Sequence, residues 1–145
     1  MKTKLLVAAV ALTPGMALAC GSNATPVFAC STEKGKFVEV CQTPGAVTYA
    51  YGKKGKQPEL LLSRSNAEFR WEHAEGTGPG IEDSLFFPNG STTYVVDHVA
   101  SVDNPKSQTS QLWVMRKGKD TIYIQCTDNS VHFNPKAIVA AAQEP

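Results

Sequence analysis

The sequence predicts an all-β protein, a compact antiparallel β-barrel or sandwich of about nine strands with a short C-terminal helix. Three observations predict it. Short runs rich in β-branched and aromatic residues recur roughly every 8–14 residues. Tight-turn signals separate these runs, the strongest being Asn89-Gly90 between two apolar stretches. No helical period develops before Asn134-Pro135, near the C-terminus.

Pro26 to Ser31 and Phe37 to Cys41 form the first hairpin, with Gly35 free to take the positive φ its turn needs. Val47 to Tyr51 is β-branched and aromatic, and Gly52 to Pro58 breaks it. Leu60-Leu61-Leu62 reads as a buried strand. Glu68 to His73 alternates with period two, which puts Phe69, Trp71 and His73 on one face. Gly76 to Gly80 is a loop. Leu85-Phe86-Phe87 and Thr92 to Val99 flank the Asn-Gly turn. After the polar loop Asp103 to Ser107, Leu112 to Arg116 and Thr121 to Cys126 form another hairpin around Lys117 to Asp120. Asn134 can cap and Pro135 suits a first helical turn, so Lys136 to Gln143 reads as the helix. Phe28, Leu61, Trp71, Val96, Trp113 and Ile124 are the expected core.

Residues 1–19 read as a bacterial-type secretory signal peptide. Lys2 and Lys4 precede an apolar run, and Ala17-Leu18-Ala19 gives small residues at −3 and −1. The apolar run is too short to span a bilayer. The remainder, residues 20–145, is long enough for one domain with a real core. Loss of the two lysines takes the formal charge from +1 to −1, which gives no electrostatic drive towards nucleic acid or anionic membranes.

All four cysteines, Cys20, Cys30, Cys41 and Cys126, follow the expected cut, and an even count in an exported chain predicts two disulfides. Lipidation of Cys20 is the rival reading; it wants Leu at −3, where Ala17 stands, and would leave one of three cysteines unpaired. Ile122, Ile124 and Cys126 share a face, as do Phe28 and Cys30, so Cys126 is expected to bond Cys30 or Cys41 in the first hairpin.

Few residues suggest chemistry. His73, His98 and His132 lack metal-ligand spacing, and no metal or other cofactor is expected. Asp97 and His98 are strand neighbours that point to opposite faces. Gly52 to Lys56 lacks the ending of a phosphate loop. Glu68, Glu72, Glu75, Glu82 and Asp83 form an acidic stretch that could steer a basic protein partner. Asn89, Gly90, Ser91 and Tyr94 place a hydroxyl and an aromatic three apart at a hairpin tip, where a rigid β scaffold presents binding groups. No nucleophile–base pair is visible, so the reading is a binding protein, not an enzyme.

One resemblance adds to this. Ala24-Thr25-Pro26-Val27-Phe28-Ala29-Cys30, Gly35-Lys36, Val40-Cys41, Tyr49-Ala50-Tyr51-Gly52, Gly55 and Pro58-Glu59-Leu60 resemble a group of small periplasmic proteins of Gram-negative bacteria. Asn89-Gly90 with Tyr94, and Gly118-Lys119 with Cys126, extend the likeness over most of residues 20–145. The group resembles the periplasmic inhibitors of invertebrate-type lysozyme. The resemblance implies an antiparallel β fold, a periplasmic location and a loop carrying Ser-Gly-x-x-Tyr that enters the lysozyme cleft and meets its catalytic carboxylates. Ser91 and Tyr94 match that motif; Thr92 stands in place of its Gly. The partner implied is a lysozyme or other wall hydrolase. An immunity protein against a periplasmic toxin and a non-enzymatic envelope accessory domain are the alternative readings.

Overall fold

A computed structural model describes residues 20–75, 78, 80–104 and 106–138. The expected signal peptide and the end of the expected C-terminal helix lie outside the described residues. The strands are β1 (Thr25–Ser31), β2 (Phe37–Thr43), β3 (Ala46–Gly52), β4 (Leu60–Ser65), β5 (Arg70–Glu75), β6 (Gly80–Asn89), β7 (Thr92–Ser101), β8 (Gln108–Arg116), β9 (Ile122–Gln125) and β10 (His132–Phe133). The described residues thus hold ten strands against the nine or so expected. The addition is β10, too short to show a period.

Two five-stranded antiparallel sheets form a sandwich, in the orders β10-β1-β2-β3-β4 and β5-β6-β7-β8-β9. The second sheet is a meander, and the first is a meander of β1 to β4 with β10 added beside β1. Gly35, Gly45, Gly90 and Gly118 all take positive φ, between 63° and 80°, at turns that link neighbouring strands. The sheets meet along one edge through backbone bonds: Thr32 bridges Cys126, and Thr127 N–H donates to Ser31 C=O at 2.8 Å. The seam stops short of closing a barrel.

The core lies between the sheets. Val27, Phe28, Val38, Val40, Val47 and Tyr49 come from the first sheet; Leu85, Phe87, Val96 and Leu112 come from the second. Trp71 and Ile124 pack against them, as expected. Pro135 to Ile138 are helical, and Ala137 and Ile138 join the same cluster. Two core expectations fail. Leu61 is 60% exposed: β4 is an edge strand, and alternation sends Leu60 and Leu62 inward and Leu61 out. Trp113 lies on the outer face of the second sheet, because its neighbour Leu112 faces the core.

Cys20 bonds Cys41, and Cys30 bonds Cys126. The second bond joins the sheets, and Cys30 is the partner chosen from the two expected for Cys126. Two disulfides point to an oxidising, exported compartment. No helix among the described residues is long and apolar enough to cross a membrane.

Candidate functional site

The β6–β7 hairpin end is held from both flanks. On one side the Arg64 Nε–H donates to Pro88 C=O at 2.6 Å, and Arg64 Nη2 donates to Asn89 Oδ1 at 3.3 Å. On the other, Lys117 N–H donates to Ser91 C=O at 3.0 Å. Gly90, at φ 63°, closes the turn. Asn89, Gly90 and Ser91 are all exposed. Arg64 beside Pro88, Arg116 paired with Thr92, and Lys117 make the surroundings of the tip basic.

Tyr94 is placed differently. It faces inward on β7, packs against the core, and lies 5.8 Å from the Tyr49 ring. Burial pushes the Tyr49 hydroxyl well above the ordinary tyrosine range, with Tyr51 and Tyr94 adding to the shift, so this aromatic floor is neutral. Ser91 thus stands at the surface, and Tyr94 supports the tip from below.

The acidic stretch does not converge on the tip. Glu68 sits in the β4–β5 connection and accepts hydrogen bonds from Ser65 N–H and Oγ, both at 3.0 Å; these bonds lower its pKa. Glu72 pairs with Ser84, five residues from Asn89, or roughly 17 Å along the strand. Glu75 pairs with Ile81, further still. Glu82 faces outward and Asp83 inward, because they are consecutive on β6.

Asp83 belongs to a polar row that the sequence did not reveal. On the core face of the second sheet, His73, Asp83, His98 and Ser110 lie opposite one another on β5, β6, β7 and β8. The His73 Nδ1 and Asp83 Oδ1 atoms are 2.7 Å apart, and Trp71 Nε1 donates to the same oxygen at 2.9 Å. A carboxylate only accepts, so Nδ1 of His73 carries the proton. His98 Nδ1 is hydrogen-bonded to the Ser110 hydroxyl at 2.8 Å. Burial lowers the His98 pKa, with Asp83 and Asp97 opposing, so this imidazole is neutral near pH 7. A histidine, a carboxylate and a serine in one row invite comparison with a hydrolytic triad. Ser110, however, is only 2% exposed and cannot be reached by a polymeric substrate. The row satisfies buried polar groups and fixes the strand register.

A second set of residues, also unseen in the sequence, lies on the outer face. Asp97 accepts from Ser84 Oγ at 2.9 Å and from Gln111 Nε2 at 3.2 Å. Its charge, and a hydrogen bond with it, raise the pKa of Glu82 from its ordinary value. Register, not sequence, brings these carboxylates together. Among the described residues the only cluster with metal-ligand closeness is Cys20, Glu39 and Cys41, and its two sulfurs are already bonded to each other. At the end of the sandwich away from the tip, two clefts of about 320 and 560 Å³ share Ser107, Gln108 and Thr109. Their linings are chiefly hydroxyl and amide groups, with Lys106 and Asp128 the charged residues. No protein-family model, curated protein or solved structure matches the chain.

Proposed function

We propose that this chain is a periplasmic binding protein that blocks a lysozyme-type wall hydrolase by seating its β6–β7 hairpin end in the enzyme's cleft. One observation carries the reading: the tip is fixed by Arg64 on one side and Lys117 on the other, so its shape is set before any partner arrives. A preformed wedge avoids the ordering cost of a flexible loop. Its chemistry suits the proposed target. The Ser91 hydroxyl can donate to an ionised cleft carboxylate, and charge-assisted hydrogen bonds of this kind contribute roughly 1.5–3 kcal/mol. The basic surroundings of the tip complement the same carboxylates. The resemblance to inhibitors of invertebrate-type lysozyme, carried by Ser91 and Tyr94, supports the assignment, with Tyr94 as the floor of the tip instead of an inserted anchor.

Steady-state kinetics test it. Residues 20–145, with both disulfides formed, should inhibit at least one of the c-, g- or i-type lysozymes, and a soluble oligosaccharide substrate should relieve the inhibition competitively. Inhibition that substrate does not relieve would place the contact outside the cleft.

A further inference from the structure

The outer face of the second sheet carries two parallel rows of opposite character. Register aligns Arg70, Phe86, Val95, Trp113 and Tyr123 across all five strands. Arg70 lies 4.0 Å above the Phe86 ring, and Trp113 meets Tyr123 edge-on at 5.8 Å. One step along the strands, Glu72, Ser84, Asp97, Gln111 and Gln125 align in the same way. This second row is polar throughout, with Ser84 and Asp97 buried at its centre, as Val95 is in the first row, and Glu82 adjoins it through Asp97. Five strands at about 4.8 Å spacing make each row roughly 19 Å long. Tyr123, at the edge, is 60% exposed.

We propose that this face binds a neutral oligosaccharide laid across the strands. A pyranose ring is amphiphilic: its C–H face stacks on aromatic rings, and its hydroxyls need acceptors and donors at the ring edge. The accessible members of the two rows supply both: Phe86, Trp113 and Tyr123 in the first, Glu72, Gln111 and Gln125 in the second. The carboxylates choose the occupant. A protein surface pressed onto this face would strip water from Glu72 and Glu82, a heavy cost for two carboxylates that have one cation, Arg70, between them. Sugar hydroxyls instead donate to them as water does. An anionic glycan would be repelled by Glu72, Glu82 and Asp97, which the single cation Arg70 does not balance. The face is separate from the hairpin end, so a neutral oligosaccharide and a protein partner could be held together.

Isothermal titration with a β-1,4-linked N-acetylglucosamine tetramer, and with the corresponding glucose tetramer, tests this. Binding of at least one is expected. Trp113→Ala, Tyr123→Ala and Gln111→Ala should each weaken it, the aromatic changes by about tenfold or more, as for anchors at an interface centre. Ser91→Ala, at the hairpin tip, and Leu61→Ser, on the other sheet, should leave it unchanged. Trp113→Ala could perturb the sheet, so thermal melts accompany it; Tyr123, exposed on an edge strand, gives a reading free of that effect. Failure to bind either tetramer would overturn the proposal, as would unchanged binding by both Tyr123→Ala and Gln111→Ala. So would a concentration-dependent dimer abolished by Tyr123→Ala, which would make a second copy the occupant. Loss of hydrolase inhibition in Ser91→Ala with glycan binding intact would separate this face from the function proposed above.

Discussion

The Tyr94 ring lies 5.8 Å from that of Tyr49, at an interplanar angle of 33°, across the space between the two sheets. This contact divides the Ser-x-x-Tyr spacing into two roles. Ser91 is presented, and Tyr94 belongs to the packing that presents it. Substituting each residue should therefore affect different properties. Tyr94→Ala should lower stability by about 1–3 kcal/mol, as for a partly buried large-to-small change. Ser91→Ala should leave the melt within about 0.5 kcal/mol, because an exposed turn hydroxyl is lost. Chemical denaturation of both variants checks this. A Tyr94→Ala protein as stable as the parent would show that the ring does not support the tip.

The two disulfides should differ in what they contribute. Cys30–Cys126 closes a separation of 96 residues and ties one sheet to the other; Cys20–Cys41 closes 21. On the loop-entropy account their removal costs about 4.7 and about 3 kcal/mol respectively. Paired Cys→Ser variants, compared by urea unfolding, should preserve that order. A larger loss from the short loop would mean that the packing of Cys20, not loop closure, dominates.

His98 makes stability depend on pH with a predictable sign. Burial holds its folded pKa below the ordinary 6.5, so the unfolded chain binds more protons between the two values. Its contribution is complete above pH 6.5 and is lost as the pH falls through the folded value. Replacing His98 with Gln should flatten the urea-midpoint profile between pH 7.5 and pH 5. An unchanged slope would assign that pH dependence to other groups.

Glu82 acts in the opposite sense. Asp97 raises its folded pKa above the ordinary 4.5, so the folded state favours the protonated form. Stability from this group is complete below pH 4.5 and declines as the pH rises through the raised value. Glu82→Gln should therefore melt higher than the parent at pH 7, with the gain vanishing near pH 4. A lower melting temperature at pH 7 would show that the Glu82 carboxylate contributes more than its repulsion with Asp97 removes.

The sequence made the hairpins legible because turn chemistry is local: Asn89-Gly90, Gly35 and Gly118 announce positive φ without reference to the fold. The face shared by Cys126 and Ile124 was also visible, since alternation there is clean. Trp113 was not placed, because Leu112-Trp113-Val114-Met115 is apolar on both faces and its period chooses neither. Leu61 failed for a related reason, three leucines in a row on an edge strand. The row from His73 to Ser110 and the Glu82–Asp97 pair depend on register between strands, which turn signals alone do not set. The tip was found from its turn, yet the clamp from Arg64 came from β4, a strand in the other sheet.

If the β6–β7 hairpin end occludes a wall hydrolase, changes at the tip should weaken inhibition without unfolding the protein. The parent protein, Ser91→Ala and Lys117→Glu should be titrated into c-, g- and i-type lysozyme assays, with thermal melts beside each. Inhibition by the parent is expected, with weaker inhibition by Ser91→Ala and the greatest loss in Lys117→Glu, all three proteins remaining folded. Equal inhibition by all three, or no inhibition of any lysozyme by the folded parent, would contradict it.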